Sequence, residues 1–168
     1  FKPLYVKFKV FYGCNLKCEM CNHWRETREP PVSADRFKEV ITELAKMGTK
    51  KIHISGGEPM LRPHIPDFVA LASSLGIKVT MTTNGTLITP EKAALLKAAN
   101  VAYVGISLDG IGAVHDEFRR KEGAFDGAVR GFRNCHEVGQ KTGLRLTLTR
   151  HNVQNIEHAD LARGRYSF

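Results

Sequence analysis

Three of the four cysteines, Cys14, Cys18 and Cys21, share one short segment with the spacing Cys-x3-Cys-x2-Cys. In a chain without a secretory signal pattern, clustered cysteines more often bind metal than form disulfides. A structural zinc site needs four ligands, and His23 is cramped beside Cys21 as a fourth. A [4Fe–4S] cluster on three thiolates keeps one iron open. Together with the motifs described below, the spacing favours such a cluster over zinc, and we expect Cys135 to be a buried apolar residue on a helix.

Composition and charge narrow the class of protein. With 168 residues, of which 42% are apolar and 25% charged, the chain is typical of one soluble globular domain. The sequence has no run of about eighteen apolar residues, so we expect a cytoplasmic protein without a membrane span. The net charge of +8 indicates either a solvated basic surface or an acidic partner. The basic residues are scattered and no aromatic RNA-binding motif is present, so nucleic acid is disfavoured as a partner.

Strand patterns alternate with helical patterns along the chain. Ser33 and Thr89 are suited to begin helices, Gly48 and Gly76 are suited to end them, and a last helix is predicted to open at Ile156. The predicted strands are 4–11, 51–55, 77–83, 102–108 and 144–149. This order predicts an α/β fold, a partial (βα)6-type open barrel with parallel strands. The sequence pattern predicts five βα units, and the sixth unit is missing.

The two ends of the chain bear on its domain organisation. It starts at Phe1 rather than at Met, and its last segment, DLARGRYSF, carries no strand pattern. We therefore expect residues 1–168 to be the core domain of a longer product. That product should add at least one further βα unit.

Polar and glycine-rich segments follow the ends of the predicted strands. The cysteine segment follows the first strand, and Gly56-Gly57-Glu58-Pro59 follows the second. Asn84-Gly85 follows the third, and the fourth ends in Ser107-Leu108-Asp109-Gly110. In folds of parallel strands, ligands gather at the C-terminal ends of the strands. These segments should therefore meet at one rim of the sheet.

Taken together, these motifs resemble those of the radical S-adenosylmethionine (radical SAM) enzymes, which share the three-cysteine spacing and GGEP. The stretches TTNGTLIT (82–89) and ISLDG (106–110), with His115-Asp116-x-x-Arg119, are similar to one subgroup. That subgroup contains sulfatase maturases, peptide-modifying SPASM/twitch enzymes and the molybdenum cofactor enzyme. The resemblance runs from about residue 5 to about residue 152. Met20 stands where the family usually has an aromatic or other bulky residue, and the second cysteine cluster of SPASM members is absent from the sequence.

The resemblance implies a role for each matching residue. The three cysteines would hold a [4Fe–4S] cluster whose open iron binds the methionine part of S-adenosylmethionine. Glu58 would receive the amino group, and Arg119 would clamp the carboxylate, for which Arg is a natural bidentate partner. Asp109 would fix the loop or a ribose hydroxyl, and His115 and Asp116 would brace the loop that carries Arg119. The implied cofactor-binding residues are Met20, Gly56, Gly57, Glu58, Pro59, Asn84, Ser107, Asp109 and Arg119.

The resemblance also implies a reaction. An external one-electron donor of the flavodoxin or ferredoxin type would reduce the cluster, and S-adenosylmethionine would be cleaved to a 5′-deoxyadenosyl radical that abstracts hydrogen. We expect the substrate to be a peptide or protein side chain. Tetrapyrrole or other cofactor precursors, and then tRNA, are the alternatives. A different class of protein, an iron–sulfur electron carrier or binding module, would need a fourth local cysteine and would leave GGEP and Arg119 without a role.

Overall fold

The computed structural model describes residues 2–25, 32–150 and 152–154. Five parallel strands form one sheet in the order β1-β2-β3-β4-β5. The strands are β1 (Tyr5–Phe11), β2 (Lys51–Gly56), β3 (Lys78–Thr83), β4 (Tyr103–Ser107) and β5 (Thr142–Arg145). The helices are α1 (Ala34–Lys46), α2 (Ile65–Ser74), α3 (Pro90–Ala98), α4 (Ala113–Arg119) and α5 (Ala124–Glu137). The predicted α/β fold with an open, unclosed parallel sheet is confirmed.

Capping side chains and a glycine account for where these helices begin and end. Ser33 accepts a hydrogen bond from the Arg36 backbone N–H at the start of α1, and Thr89 accepts one from the Lys92 backbone N–H at the start of α3. Gly48, just beyond α1, takes a φ of +86°, a conformation that favours glycine. No helix within the described ranges combines the length and apolar character needed to cross a membrane.

The two faces of the sheet differ in polarity because the strand side chains alternate in direction. One face carries the buried apolar residues and packs against helices, for example where Phe37 of α1 stacks on Phe68 of α2 with ring centroids 3.9 Å apart. The other face carries Lys, His, Thr, Tyr and Arg side chains, including His53. His53 lies half-buried on this polar face, where its ring nitrogens share hydrogen bonds with Thr80 and Thr82.

The last strand differs from its predicted position, 144–149. It pairs with β4 from Val104↔Thr142 to Ser107↔Arg145, so it begins two residues earlier and ends four residues earlier. The segment beyond it is bound by side chains instead of a neighbouring strand: the Thr147 backbone N–H donates to Asp109 Oδ1, and Asn152 Nδ2 donates to the Asp109 carbonyl. The helix predicted to begin at Ile156 lies outside the described residues, as does His151.

Helix α4 was not predicted. It has only seven residues, and its N-terminus lacks a capping side chain because the preceding residue is Gly112. The i,i+4 spacing of His115 and Arg119 was the available signal, since residues four apart share one face of a helix. This short helix carries Arg119 towards the cysteine segment.

Candidate active site

The ends of β1 to β4 meet around one recess of about 150 Å³. It is lined by most of the predicted site residues: Cys14, Cys18, Met20, Cys21, Gly56, Gly57, Glu58, Asn84, Ser107 and Arg119. Pro59 and Asp109 are buried and are not among the residues that line the recess. Four further residues also line the recess: Leu16, Ser55, Thr82 and Thr83. Segments far apart in sequence therefore converge as the strand-end argument predicted.

The three cysteines of the first loop are free thiols in an apolar setting. Cys18 is buried beside Leu16 and Ala124, and Cys14 and Cys21 pack against this group. Burial raises the pKa of the Cys14 thiol to about 11 and also raises the pKa of Cys18. Without metal, both are therefore protonated at neutral pH, and binding iron must displace these protons.

The arrangement of the thiols fits a cluster better than a single ion. Within the described residues, no three His, Cys, Asp or Glu side chains converge closely enough to hold one metal ion. A [4Fe–4S] cluster does not require such convergence, because each thiolate binds a different iron. Cys135 has no exposed surface and belongs to the main apolar core on α5, apart from the three loop thiols.

Gly56 and Gly57 bring the end of β2 against the cysteine loop. The Gly57 backbone N–H donates to the Phe11 carbonyl (2.6 Å), and the Glu58 N–H donates to the Gly13 carbonyl (2.9 Å). A Cβ at position 57 would stand 2.1 Å from the Gly13 carbonyl oxygen, and one at position 56 would stand 2.2 Å from that of Phe11. These glycines thus allow close packing against the protein's own backbone. Both glycines also line the recess.

Glu58 is fully buried at the centre of the strand ends. Its Oε1 accepts hydrogen bonds from the Met60 N–H (2.9 Å) and the Thr83 hydroxyl (2.6 Å), and its Oε2 accepts one from the Asn84 N–H (2.8 Å). Burial raises the pKa of Glu58, and the three hydrogen bonds act in the opposite direction. The carboxylate therefore joins the loops after β2 and β3 at the wall of the recess.

Asn84 connects the loop after β3 to the cysteine loop. Its Nδ2 donates to Asn15 Oδ1 (2.8 Å), and its Oδ1 accepts from the Thr86 N–H (3.0 Å) and hydroxyl (2.7 Å). Asn15 in turn donates to the Thr86 hydroxyl (2.9 Å). This ring of side chains positions the segment between Cys14 and Cys18.

Arg119 joins α4 to the cysteine loop through a buried ion pair. The guanidinium pairs with the Asp109 carboxylate, and Nη1 lies 3.5 Å from the Cys18 sulfur. Its charge lowers the pKa of Cys18, although burial of that thiol is the larger influence and raises it. Arg119 also lines the recess, and its buried Nε has no partner among the described residues. It can therefore offer a donor to a ligand while its charge is balanced by Asp109.

His115 and Asp116 hold the loop that carries Arg119. The neutral His115 ring accepts the Asp109 N–H at Nδ1 (3.0 Å). Desolvation, and secondarily the Arg119 charge, lower the pKa of His115 to about 4. The Asp116 carboxylate accepts from the Gly123 and Phe125 backbone N–H groups, both at 2.7 Å. These contacts agree with the bracing roles expected from the sequence.

Two hydroxyl side chains at the rim of the recess were not predicted from the sequence. Ser55 and Thr82 line the recess beside Ser107, and the buried Ser55 hydroxyl has no partner among the described residues. Each occupies the last position of its strand on the polar face, which the two-residue alternation of strands could have revealed. An unpaired buried hydroxyl favours a polar ligand, because leaving it unsatisfied costs about 1–3 kcal/mol.

Comparisons with known proteins agree with this geometry. The family model described as the Radical SAM superfamily matches residues 8–162. The "Fe-coproporphyrin III synthase" of Methanosarcina barkeri is 44% identical over 92% of this chain and 39% of its own length. The "Mycofactocin maturase MftC" of Mycolicibacterium smegmatis is 34% identical over 98% of this chain and 42% of its own length. The chain thus spans about two fifths of these relatives.

Solved structures show the same fold. The structure titled "Native anSMEcpe with bound AdoMet and Cp18Cys peptide" superposes with a TM-score of 0.80 at 21% identity. The match covers 96% of this chain and 48% of that one. The chain belongs to the radical SAM superfamily, a family of enzymes that use a [4Fe–4S] cluster and S-adenosylmethionine.

Proposed function

We propose that this chain is the radical SAM core domain of an enzyme that cleaves S-adenosylmethionine reductively and abstracts hydrogen from its substrate. The observation that carries the proposal is the recess in which three free thiols meet the GGEP loop and the guanidinium of Arg119. The cluster held by Cys14, Cys18 and Cys21 and the bound cofactor would together supply one-electron reductive cleavage of the sulfonium and abstraction of a hydrogen atom from the substrate. An external one-electron donor would supply the reducing electron.

The residues of the chain bind and orient these groups. Cys14, Cys18 and Cys21 would hold three irons and leave one open to the cofactor. The free Nε of Arg119 would donate to the cofactor carboxylate, as charge-assisted bonds of Arg do. The unpaired hydroxyl of Ser55 is an additional donor or acceptor for the cofactor's polar end. Glu58 would act through one remaining lone pair, because three protein donors already occupy its oxygens.

For the substrate, we propose a tetrapyrrole precursor. This reverses the order of preference drawn from the sequence, because 44% identity to a protein named Fe-coproporphyrin III synthase exceeds 34% identity to a protein named mycofactocin maturase. A peptide side chain is the second candidate. It is favoured by the fold shared with a solved structure that contains a bound peptide.

Isotope transfer tests the substrate class. The reduced full-length protein would be incubated with S-adenosylmethionine and with precursor porphyrins deuterated on their carboxylate-bearing side chains. Deuterium recovered in 5′-deoxyadenosine would support the tetrapyrrole proposal. Label recovered only from a deuterated peptide would reject the tetrapyrrole in favour of the second candidate.

A further inference from the structure

The polar face of the sheet carries a second recess. It lies on the same face as the recess at the C-terminal strand ends, which we call the cofactor recess, but towards the N-terminal ends of the strands. Its volume is about 350 Å³. Its charged lining consists of Lys7, Lys51, Lys78, Lys141 and Arg145, which we call the basic floor. Among the residues that the structure describes, no Asp or Glu lines this recess. Within the described residues, none of the five cations forms an ion pair with a carboxylate.

Five like charges on one concave surface repel one another and attract anions. Lys51 and Lys78 are direct partners across β2 and β3, where strands run about 4.8 Å apart. Like charges placed directly opposite each other in a sheet are destabilising. The arrangement therefore favours a ligand that brings several negative charges to the floor at once.

The floor and the cofactor recess are parts of one continuous surface. Lys51 at the floor and Ser55 at the cofactor recess are four residues apart on β2, which corresponds to about 13 Å. Between them, His53 shares hydrogen bonds with Thr80, which lines the floor, and with Thr82, which lines the cofactor recess (3.0 Å each). A ligand about 13 Å long could therefore contact both ends.

Two glycines make room for the floor's large side chains. A Cβ at Gly105 would stand 2.8 Å from Cγ of Arg145, so Arg145 lies across β4. A Cβ at Gly143 would stand 2.2 Å from the Tyr103 hydroxyl oxygen. Side chains at these positions would displace Arg145 and Tyr103 from the recess. Glycine at these two positions thus leaves the space that the Arg145 and Tyr103 side chains occupy on the open face.

We propose that the basic floor binds the carboxylates of a small polycarboxylate substrate, whose reacting group then reaches the cofactor recess. This inference rests on the proposed function, which supplies the reaction of the bound substrate. A compact polycarboxylate fits better than a nucleic acid, because the charge is confined to one recess and does not form a long stripe. The floor residues would then determine specificity by the number and spacing of the substrate's carboxylates.

The test compares binding of an acid and of its neutral ester. Fe-coproporphyrin III, which has four carboxylates, and its tetramethyl ester would be titrated into the full-length protein in one detergent buffer, followed by the porphyrin absorbance. The floor variant is the double substitution Lys51→Gln and Arg145→Gln. The matched control is Lys38→Gln with Lys46→Gln, which removes the same charge from exposed positions on α1.

We expect the floor variant to weaken binding of the acid about tenfold, because each exposed charge pair contributes only a factor of a few. Binding of the ester should be equal in the floor variant and the parent, and the control should match the parent. Parent-like binding of the acid by the floor variant would overturn the proposal. So would binding of an acidic peptide at the floor without binding of the porphyrin.

A parallel measurement separates this inference from the proposed function. The parent protein would be reduced with S-adenosylmethionine and assayed for 5′-deoxyadenosine. If 5′-deoxyadenosine forms but the floor variant binds the acid normally, only the floor inference fails. If the floor variant binds the acid more weakly but the parent forms no 5′-deoxyadenosine, the anion site is supported and the proposed reaction fails.

Discussion

The thiols of Cys14, Cys18 and Cys21 and that of Cys135 have different surroundings, and this contrast gives a direct prediction. Replacing any of the first three by Ala should abolish a four-iron cluster after anaerobic reconstitution, because each would supply one iron ligand. Iron analysis and visible absorbance measure this loss. Cys135→Ala is the matched control and should retain iron, since Cys135 is buried in the apolar core. Retention of four irons by a loop variant would contradict the assignment.

Arg119 pairs with Asp109 and is proposed to bind the cofactor carboxylate, so its substitution should have two effects. Arg119→Ala should weaken binding of S-adenosylmethionine by about 2–3 kcal/mol, through loss of a charge-assisted contact. It should also destabilise the fold by about 3–5 kcal/mol, because Asp109 is left buried without its partner. Titration followed by electron paramagnetic resonance measures the first effect, and thermal unfolding measures the second.

Arg119→Lys separates the two effects. It keeps the charge beside Asp109 and should recover most of the stability, whereas the planar donor arrangement of the guanidinium is lost. Cofactor affinity should therefore remain low in this variant. Unaltered affinity in both variants would remove Arg119 from the cofactor site.

His115 should make stability depend on pH in a predictable direction. Its pKa of about 4 in the fold lies below the ordinary value of 6.5, so the unfolded chain binds the proton more tightly. Stability should be fully present above pH 6.5 and should fall as the pH drops towards 4, with about 2 kcal/mol lost by pH 5.

The variant His115→Gln isolates this contribution. Its side-chain oxygen can still accept the Asp109 N–H, but it does not titrate. Urea unfolding at pH 7.5 and pH 5 should show a smaller loss for the variant than for the parent. The raised pKa of Glu58 acts in the opposite sense in both proteins and cancels in the comparison. Equal losses in the two proteins would contradict the role assigned to His115.

Among the secondary-structure elements, those with strong local signals were predicted and those defined by tertiary contacts were not. Ser33 and Thr89 cap α1 and α3 as expected from their type and position. The last strand was misplaced because its alternating Leu residues continue past Arg145, where the backbone is bound by Asp109 and Asn152 instead of a strand. Such side-chain contacts join residues about forty positions apart and leave no periodic pattern.

The junction between β2 and the cysteine loop gives a prediction about packing. Gly57→Ala should cost about 2–3 kcal/mol or prevent cluster assembly, because its Cβ would overlap the Gly13 carbonyl. Gly76→Ala is the comparison, since a Cβ there meets no described atom within 4 Å and only the φ of +78° is strained. That variant should lose about 1 kcal/mol and keep its iron. Thermal unfolding and iron content distinguish the two, and equal effects would contradict the proposed junction.

Over the whole molecule, the sequence predicted which segments meet but not how each side chain is used. The rule that ligands lie at the C-terminal ends of parallel strands brought Cys14, Glu58 and Ser107 together correctly, whereas Arg119 was expected there only from the family resemblance. It could not show that Glu58 is held by three protein donors or that Arg119 pairs with Asp109, because these contacts depend on loop geometry. The basic floor was likewise hidden, since its five cations are scattered along the chain and gather only when the strands align.

The central claim is that the chain holds a cluster that cleaves S-adenosylmethionine, and product analysis tests it most directly. The protein would be reconstituted without oxygen, reduced with dithionite and incubated with S-adenosylmethionine, and the products would be analysed by mass spectrometry. We predict 5′-deoxyadenosine and methionine in equal amounts, and neither product from Cys18→Ala. Absence of 5′-deoxyadenosine from protein shown to contain about four irons per chain would contradict the account.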